Sequence, residues 1–215
     1  MAFGCIGRRS AMVKVGFIVE GETEKLLIDS VVFQSFLKSI YLECVSEAID
    51  AKGNGNLLPQ NIEPFRQRLL AAKAEWIFIL TDQDDDVCIT KTRQRITERD
   101  NQTICIATQK IEAWFLADSE LLGRLFKKKY YFDFPELEKT PFETFRKLML
   151  EHTGRGVSKR AKTILANIVL NNGFSIQRAA THPNCYSVKY FINKLAFVLP
   201  TGAIITPPLG DGGLL

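Results

Sequence analysis

Trp76-Ile77-Phe78-Ile79-Leu80-Thr81 runs without a break into Asp82-Gln83-Asp84-Asp85-Asp86, and the reading of this junction decides the fold. An apolar run that short, rich in aromatic and β-branched side chains, predicts a buried strand rather than a helix. A strand so apolar does not suit the surface. The acid that ends it is therefore expected to be placed by the fold, although the run Asp82–Asp86 also suits a solvated acidic loop. Upstream, Val13–Val19 (VKVGFIV) has the same character and ends in Glu20-Gly21. Two buried strands thus end in acids.

Working outward, Glu22–Ser39 carries helical periodicity through Leu26, Leu27, Val31 and Phe36. A second strand is expected within Tyr41–Ile49. Gly53-Asn54-Gly55-Asn56 then forms a loop whose composition tolerates positive φ. Pro59–Lys73 reads as a helix with Ile62, Phe65, Leu69 and Leu70 on one face, and Ile89–Arg99 as another. Thr103–Ala107 is the fourth strand, followed by an amphipathic stretch from Lys110 to Leu125. This alternation predicts an α/β fold: a Rossmann-like, four-stranded parallel sheet with helices on both faces. Residues 13–118 form that domain. Residues 119–199 read as a helical extension packed on it, through Pro141–Glu151, Ser158–Asn171 and Tyr186–Leu199. Residues 1–12 read as an N-terminal extension, and 200–215, rich in Pro and Gly, as a flexible tail.

Composition narrows the chemistry. The 215 residues include five scattered cysteines with no CxxC pair and only two histidines, His152 and His182. Disulfide frameworks, zinc clusters and histidine-based triads are not expected, so carboxylates, lysines and a metal must carry any reaction. No apolar run approaches the roughly 20 residues a membrane span needs, and no export signal opens the chain. A cytoplasmic protein without membrane contact is expected. Net charge is +4, with 14 Lys/Arg against 7 Asp/Glu in residues 119–215 and an acidic balance before them. That asymmetry suits a polyanion held beside a cation site, and equally suits two solvated surfaces of opposite sign.

In open α/β sheets, ligands bind beyond the carboxyl ends of the strands, where connections diverge to opposite faces. If the strand order is 2-1-3-4, the first and third strands are neighbours, and Glu20, Asp82 and Asp84 converge. Clustered carboxylates repel unless a cation joins them, and Mg²⁺ prefers carboxylate oxygens with retained waters. Glu24, four residues after Glu20, could face the same point. Glu22 suits the favourable dipole of a first helical turn instead. Lys110, just beyond the fourth strand, could neutralise a phosphate oxygen or pair with Glu112 or Asp82. Trp114, Phe115 and Leu116 suit the core better than base stacking.

Val15–Lys25 (VGFIVEGETEK) and Ile77–Asp84 (IFILTDQD) resemble the two halves of a Toprim domain, the unit shared by topoisomerases, bacterial primases, small ribonucleases and overcoming-lysogenization-defect nucleases. That resemblance implies roles for Glu20 after the first strand and for Asp82 and Asp84 after the third, both catalytic and as metal ligands. Glu24 matches a further metal-binding acid of the nuclease branch. Lys110–Asp118 (KIEAWFLAD) is similar to a stretch in a Toprim-related bacterial family often linked to ATPase partners in phage defence. The resemblance implies Mg²⁺, with Mn²⁺ as substitute, and phosphodiester cleavage of DNA or RNA in which Glu20 or Glu24 deprotonates water. Lys110 is a candidate catalytic cation. Glu112 and Asp86 are candidate metal ligands or neighbours that orient one. Lys127, Lys128 and Lys129, followed by Tyr130-Tyr131-Phe132, and the cluster Arg155, Lys159, Arg160 and Lys162 are candidate nucleic-acid contacts. Each equally suits a solvated basic helix end. No glycine-rich phosphate loop is present, so any ATP dependence points to an ATPase partner. A non-catalytic nucleotide- or partner-binding module is the alternative. A phosphoryl-accepting receiver fits less well, since receivers place an acid pair where this chain has Glu20-Gly21.

Overall fold

The computed structural model describes residues 12–198; the tail expected at 200–215, and all but the last residue of the expected extension 1–12, lie outside the described residues. Its centre is a parallel sheet of β1 (Val13–Val19), β2 (Leu42–Cys44), β3 (Ile49–Asp50), β4 (Trp76–Asp82) and β5 (Gln102–Ala107). The order is β2-β1-β4-β5, with the short β3 also on β1. Every pairing is parallel, and β1 lies against β4 from Val15↔Trp76 to Val19↔Leu80. The single strand expected within 41–49 is instead two short pieces on the same neighbour. Among the described residues, five strands are present where four were expected.

Both sheet faces are covered, as the lack of polar alternation in β1 and β4 requires. Val15, Phe17, Val19, Phe78, Leu80, Cys105 and Ala107 join the larger core. The intervening Ile18, Ile77, Ile79, Ile104 and Ile106 join a smaller one with Leu57, Ile62 and Leu69. Leu69 belongs to α3 (Glu63–Ala71). A Cβ on Gly16 would stand 2.8 Å from both Leu69 methyl carbons, so glycine sets how closely α3 approaches β1.

The expected helix Glu22–Ser39 is broken into α1 (Glu22–Asp29) and α2 (Val31–Ser39). Ser30 makes the break, its hydroxyl oxygen accepting from Phe33 N–H and so capping α2. After α4 (Ile89–Gln94), the stretch 110–125 divides likewise into α5 (Glu112–Ala117) and α6 (Ser119–Phe126). The helical part continues as α7 (Pro141–Thr153), α8 (Lys162–Asn171), α9 (Ile176–Thr181) and α10 (Tyr186–Phe197). The sequence pattern did not bring out α9, a six-residue helix capped by Ser175.

These helices share the larger core with the sheet. Phe191 of α10 stacks on Trp114 and Phe33 and meets Phe17 of β1 edge-on. Trp114 is fully buried, its indole N–H donating to Ser187 Oγ at 2.8 Å, so it serves the core. Asp118 binds the turns together. Fully buried between α5 and α6, it accepts from Leu121 N–H, from Ser175 N–H and from the Arg178 guanidinium through Nε and Nη2. Removing a buried charge that holds this many donors strands Arg178 and two backbone amides. Asp118→Ala is expected to cost about 3–5 kcal/mol in urea unfolding. Arg178→Ala, which leaves both amide bonds to Asp118 intact, is expected to cost less.

Candidate functional site

The ends of β1 and β4 are tied together before any side chain reaches outward. Glu20 N–H donates to Leu80 C=O at 3.0 Å. The Glu20 carboxylate then accepts at Oε2 from the Thr81 hydroxyl and from Asp82 N–H at 3.1 Å. One oxygen thus carries both bonds. Gly21 follows in extended backbone, and a Cβ there would come within 3.3 Å of Glu24 Oε2. A glycine at this point lets Glu24, in the first turn of α1, fold back toward the sheet. Although it stands in a first turn, Glu24 is buried.

Asp82 is the last residue of β4 and is buried, with Oδ1 accepting from Ile111 N–H at 2.8 Å. Glu112 opens α5 just beyond and is only 1% exposed. Neither of its carboxylate oxygens receives a hydrogen bond. Lys162 Nζ stands 3.3 Å from Glu112 Oε1, an ion pair without hydrogen-bond alignment. Glu20, Glu24, Asp82, Glu112 and Lys162 line one cleft of about 360 Å³, with Asp50 and Lys52 also in its wall. Asp50 and Lys52 pair with each other at 2.6 Å.

Burial and mutual repulsion govern the electrostatics. Burial pushes the Glu24 carboxyl up to about 7, with the charges of Glu112 and Glu20 adding to it against a backbone hydrogen bond and Lys162. Asp82 is raised well above the usual carboxylate range, first by burial and then by Glu24, Glu112 and Glu20. A buried carboxylate without a hydrogen bond is costly, and a cation is the partner that would relieve it. The donor set fits a hard divalent cation, all oxygen and anionic when ionised. The fit lies in donor chemistry. Among the described residues, no group of three or more His, Cys, Asp or Glu side chains is placed to hold a metal ion.

The structure sorts the residues singled out from sequence. Glu20, Glu24, Asp82 and Glu112 come together. Asp84 does not line the cleft, nor do Lys110 and Asp86. Asp84 sits in the turn after β4 with φ of 51° and forms an ion pair with Lys110, while Asn54 Nδ2 donates to it at 3.4 Å. The left-handed backbone at Asp84 carries it out of line with Asp82. Burial alone would lower Lys110, but the bond to Asp84 and the nearby carboxylates raise it, keeping it a firm cation. Asp86 pairs with Arg95 at 3.0 Å.

Lys127, Lys128, Lys129, Arg155, Lys159 and Arg160 are all exposed. Lys127 and Arg155 line a separate cavity of about 530 Å³ with His152 and Asn172. The C-terminal ends of α6, α7 and α8 meet there. Cations beside those carbonyls match the helix dipoles, which gives this part of the basic surface a structural reason. The aromatic run makes contacts within the chain: Tyr130 packs on Phe126 and His152, and Tyr131, itself half exposed, stacks on His182, whose ring bonds to Phe132 C=O.

Sequence reasoning missed the place of Lys162, which it grouped with surface cations. No local signal marks it, because α8 reaches the cleft only by packing across α1. Among protein-family models, curated proteins and solved structures, no match to this chain is found.

The raised carboxyls carry a stability consequence. Between Glu24's ordinary 4.5 and its value of about 7 in the fold, the native state holds a proton that the unfolded chain has lost. Stability without metal should therefore fall as pH rises through that window, by on the order of 3 kcal/mol, and level off above it. Asp82 acts in the same sense. Glu24→Gln should lessen the slope in thermal melts between pH 5 and pH 8, leaving the share that Asp82 contributes; an unchanged slope would assign it to other groups.

Proposed function

We propose that the protein is a divalent-metal-dependent phosphodiesterase acting on nucleic acid, a Toprim-type nuclease. The observation that carries this is Glu112: a carboxylate 1% exposed, with neither oxygen hydrogen-bonded, facing Glu24 and Asp82 at the carboxyl end of the sheet. The finer Toprim reading treats β2 and β3 as one interrupted edge strand, which makes four strands in the order 2-1-3-4. Glu20, Glu24, Asp82 and Glu112 would hold Mg²⁺, or Mn²⁺ in its place. When bound, the cation supplies positive charge against the negative charge that develops on the phosphate oxygens.

The chain's own groups have distinct tasks. Glu20 is immobilised through Oε2 alone, which leaves Oε1 to take a proton from attacking water. Asp82 is held by Ile111 N–H through Oδ1, which would leave Oδ2 for a cation. Lys110, paired with Asp84, stands at the next strand end as a fixed cation for a phosphate oxygen. The exposed lysines and arginines of residues 127–160 would guide the polyanion by long-range attraction, with affinity falling steeply as salt rises. Work beside an ATPase partner in phage defence remains part of this proposal, resting on the resemblance of Lys110–Asp118.

A second reading is a cation-dependent binding module that cuts nothing. The absence of a finished ligand cluster among the described residues favours it. Incubation with supercoiled plasmid, single-stranded DNA and RNA in Mg²⁺, Mn²⁺ or chelator separates the two. Cleavage should require the metal and fall at least about 100-fold in Asp82→Ala. Glu112→Gln should lose about 10- to 100-fold. Metal-dependent cutting that survives Asp82→Ala would sink the assignment of the site, and metal binding without cutting would favour the module.

A further inference from the structure

Lys162 is the first residue of α8 and belongs to the helical part of the chain, yet its ammonium faces the acids of the sheet. The other cations nearby are committed elsewhere: Lys110 to Asp84 and Lys52 to Asp50. Glu112 is the ion-pair partner of Lys162, and the pairing is incomplete, since at 3.3 Å neither Glu112 oxygen receives a hydrogen bond. Its Nζ also lies 5.9 Å from the Phe142 ring centroid. The side chain is 47% exposed, whereas Glu112 is buried behind it. An ammonium therefore stands at the mouth of the cleft, against a buried carboxylate whose two oxygens receive no hydrogen bond.

This arrangement gives the acid cluster a countercharge that is present but loosely held. A divalent ion contacting Glu112 would carry two positive charges into the space where Lys162 already supplies one. Like charges that close repel strongly at the reduced dielectric of a half-buried cleft. The exposed lysine stem gives the ammonium a route outward into water at little cost.

We propose that Lys162 is a displaceable counter-cation, delivered by the helical part of the chain, that competes with a divalent ion for the Glu112 side of the cleft. The inference rests on the reading of the cleft as a divalent-cation site. It assigns α8 a task in setting how readily that site fills, beyond its packing on α1.

The test is a Mn²⁺ titration of the full-length protein, with unbound Mn²⁺ counted by electron paramagnetic resonance. Wild type would be compared with Lys162→Met, Lys162→Gln and Lys52→Met, and circular dichroism would confirm that each is folded. Both Lys162 variants should bind Mn²⁺ about three- to fivefold more tightly than wild type, as expected for loss of one partly exposed charge contact. Lys52→Met should change affinity less, because Lys52 is committed to Asp50. Equal affinity in wild type and the Lys162 variants, or weaker affinity in the variants, overturns the proposal while leaving the cation site standing. Equal tightening in Lys52→Met also overturns it, by showing a general charge effect. No Mn²⁺ binding by any of the proteins overturns both this proposal and the cation-site reading.

Discussion

Acids packed against one another at the carboxyl end of a parallel sheet are the constraint on which the rest of this molecule depends. Asp82, Glu24 and Glu112 are all buried, and the charges of Glu112 and Glu20 add to the cost of ionising both Glu24 and Asp82. Such a cluster destabilises a fold unless protons, a lysine or a metal ion offset its charge. The surroundings contain two of these remedies. Glu24 and Asp82 hold protons more tightly than ordinary carboxyls, and Lys162 brings a countercharge from outside the sheet. A metal would be the third, acting where Glu112 has no hydrogen bond.

The scaffold holds this strained arrangement by making everything around it redundant. β1 and β4 are joined by backbone pairing, by the Glu20–Thr81 and Glu20–Asp82 bonds, and by the stacking of Phe17 on Phe78 at 5.3 Å. On the other side, Phe191, Trp114 and Phe33 lock the late helices to the sheet, and the Asp118–Arg178 pair fixes the turn after α5. Glu112, Trp114 and Asp118 lie on or beside one short helix. That helix therefore connects the acid cluster, the aromatic core and the buried ion pair.

The grouping of these acids was partly legible beforehand, and which part was legible has a physical cause. Glu20 and Asp82 could be found because each directly follows a run too apolar for the surface, which pins the acid to a strand end. Glu24 was reachable because four residues make one helical turn. Asp84 was expected in the same cluster by its spacing from Asp82, but a single left-handed residue redirects the chain and gives it to Lys110. The break of the first helix at Ser30 had a similar origin. A side chain bonding to backbone overrides a periodicity that continues through it.

The sequence alone determined the class of fold, the burial of β1 and β4, the acids at their ends and the scarcity of histidine. These follow from local order: apolar runs too short for helices, turn residues at their ends, and composition. Tertiary structure decided which acids meet, that Glu112 is left without a hydrogen bond, and that Lys162 faces it across 50 residues of chain. Those outcomes depend on the packing of α5 and α8 against the sheet and α1. Helix packing is set by shape and buried area summed over many residues, so no short segment of the sequence records it.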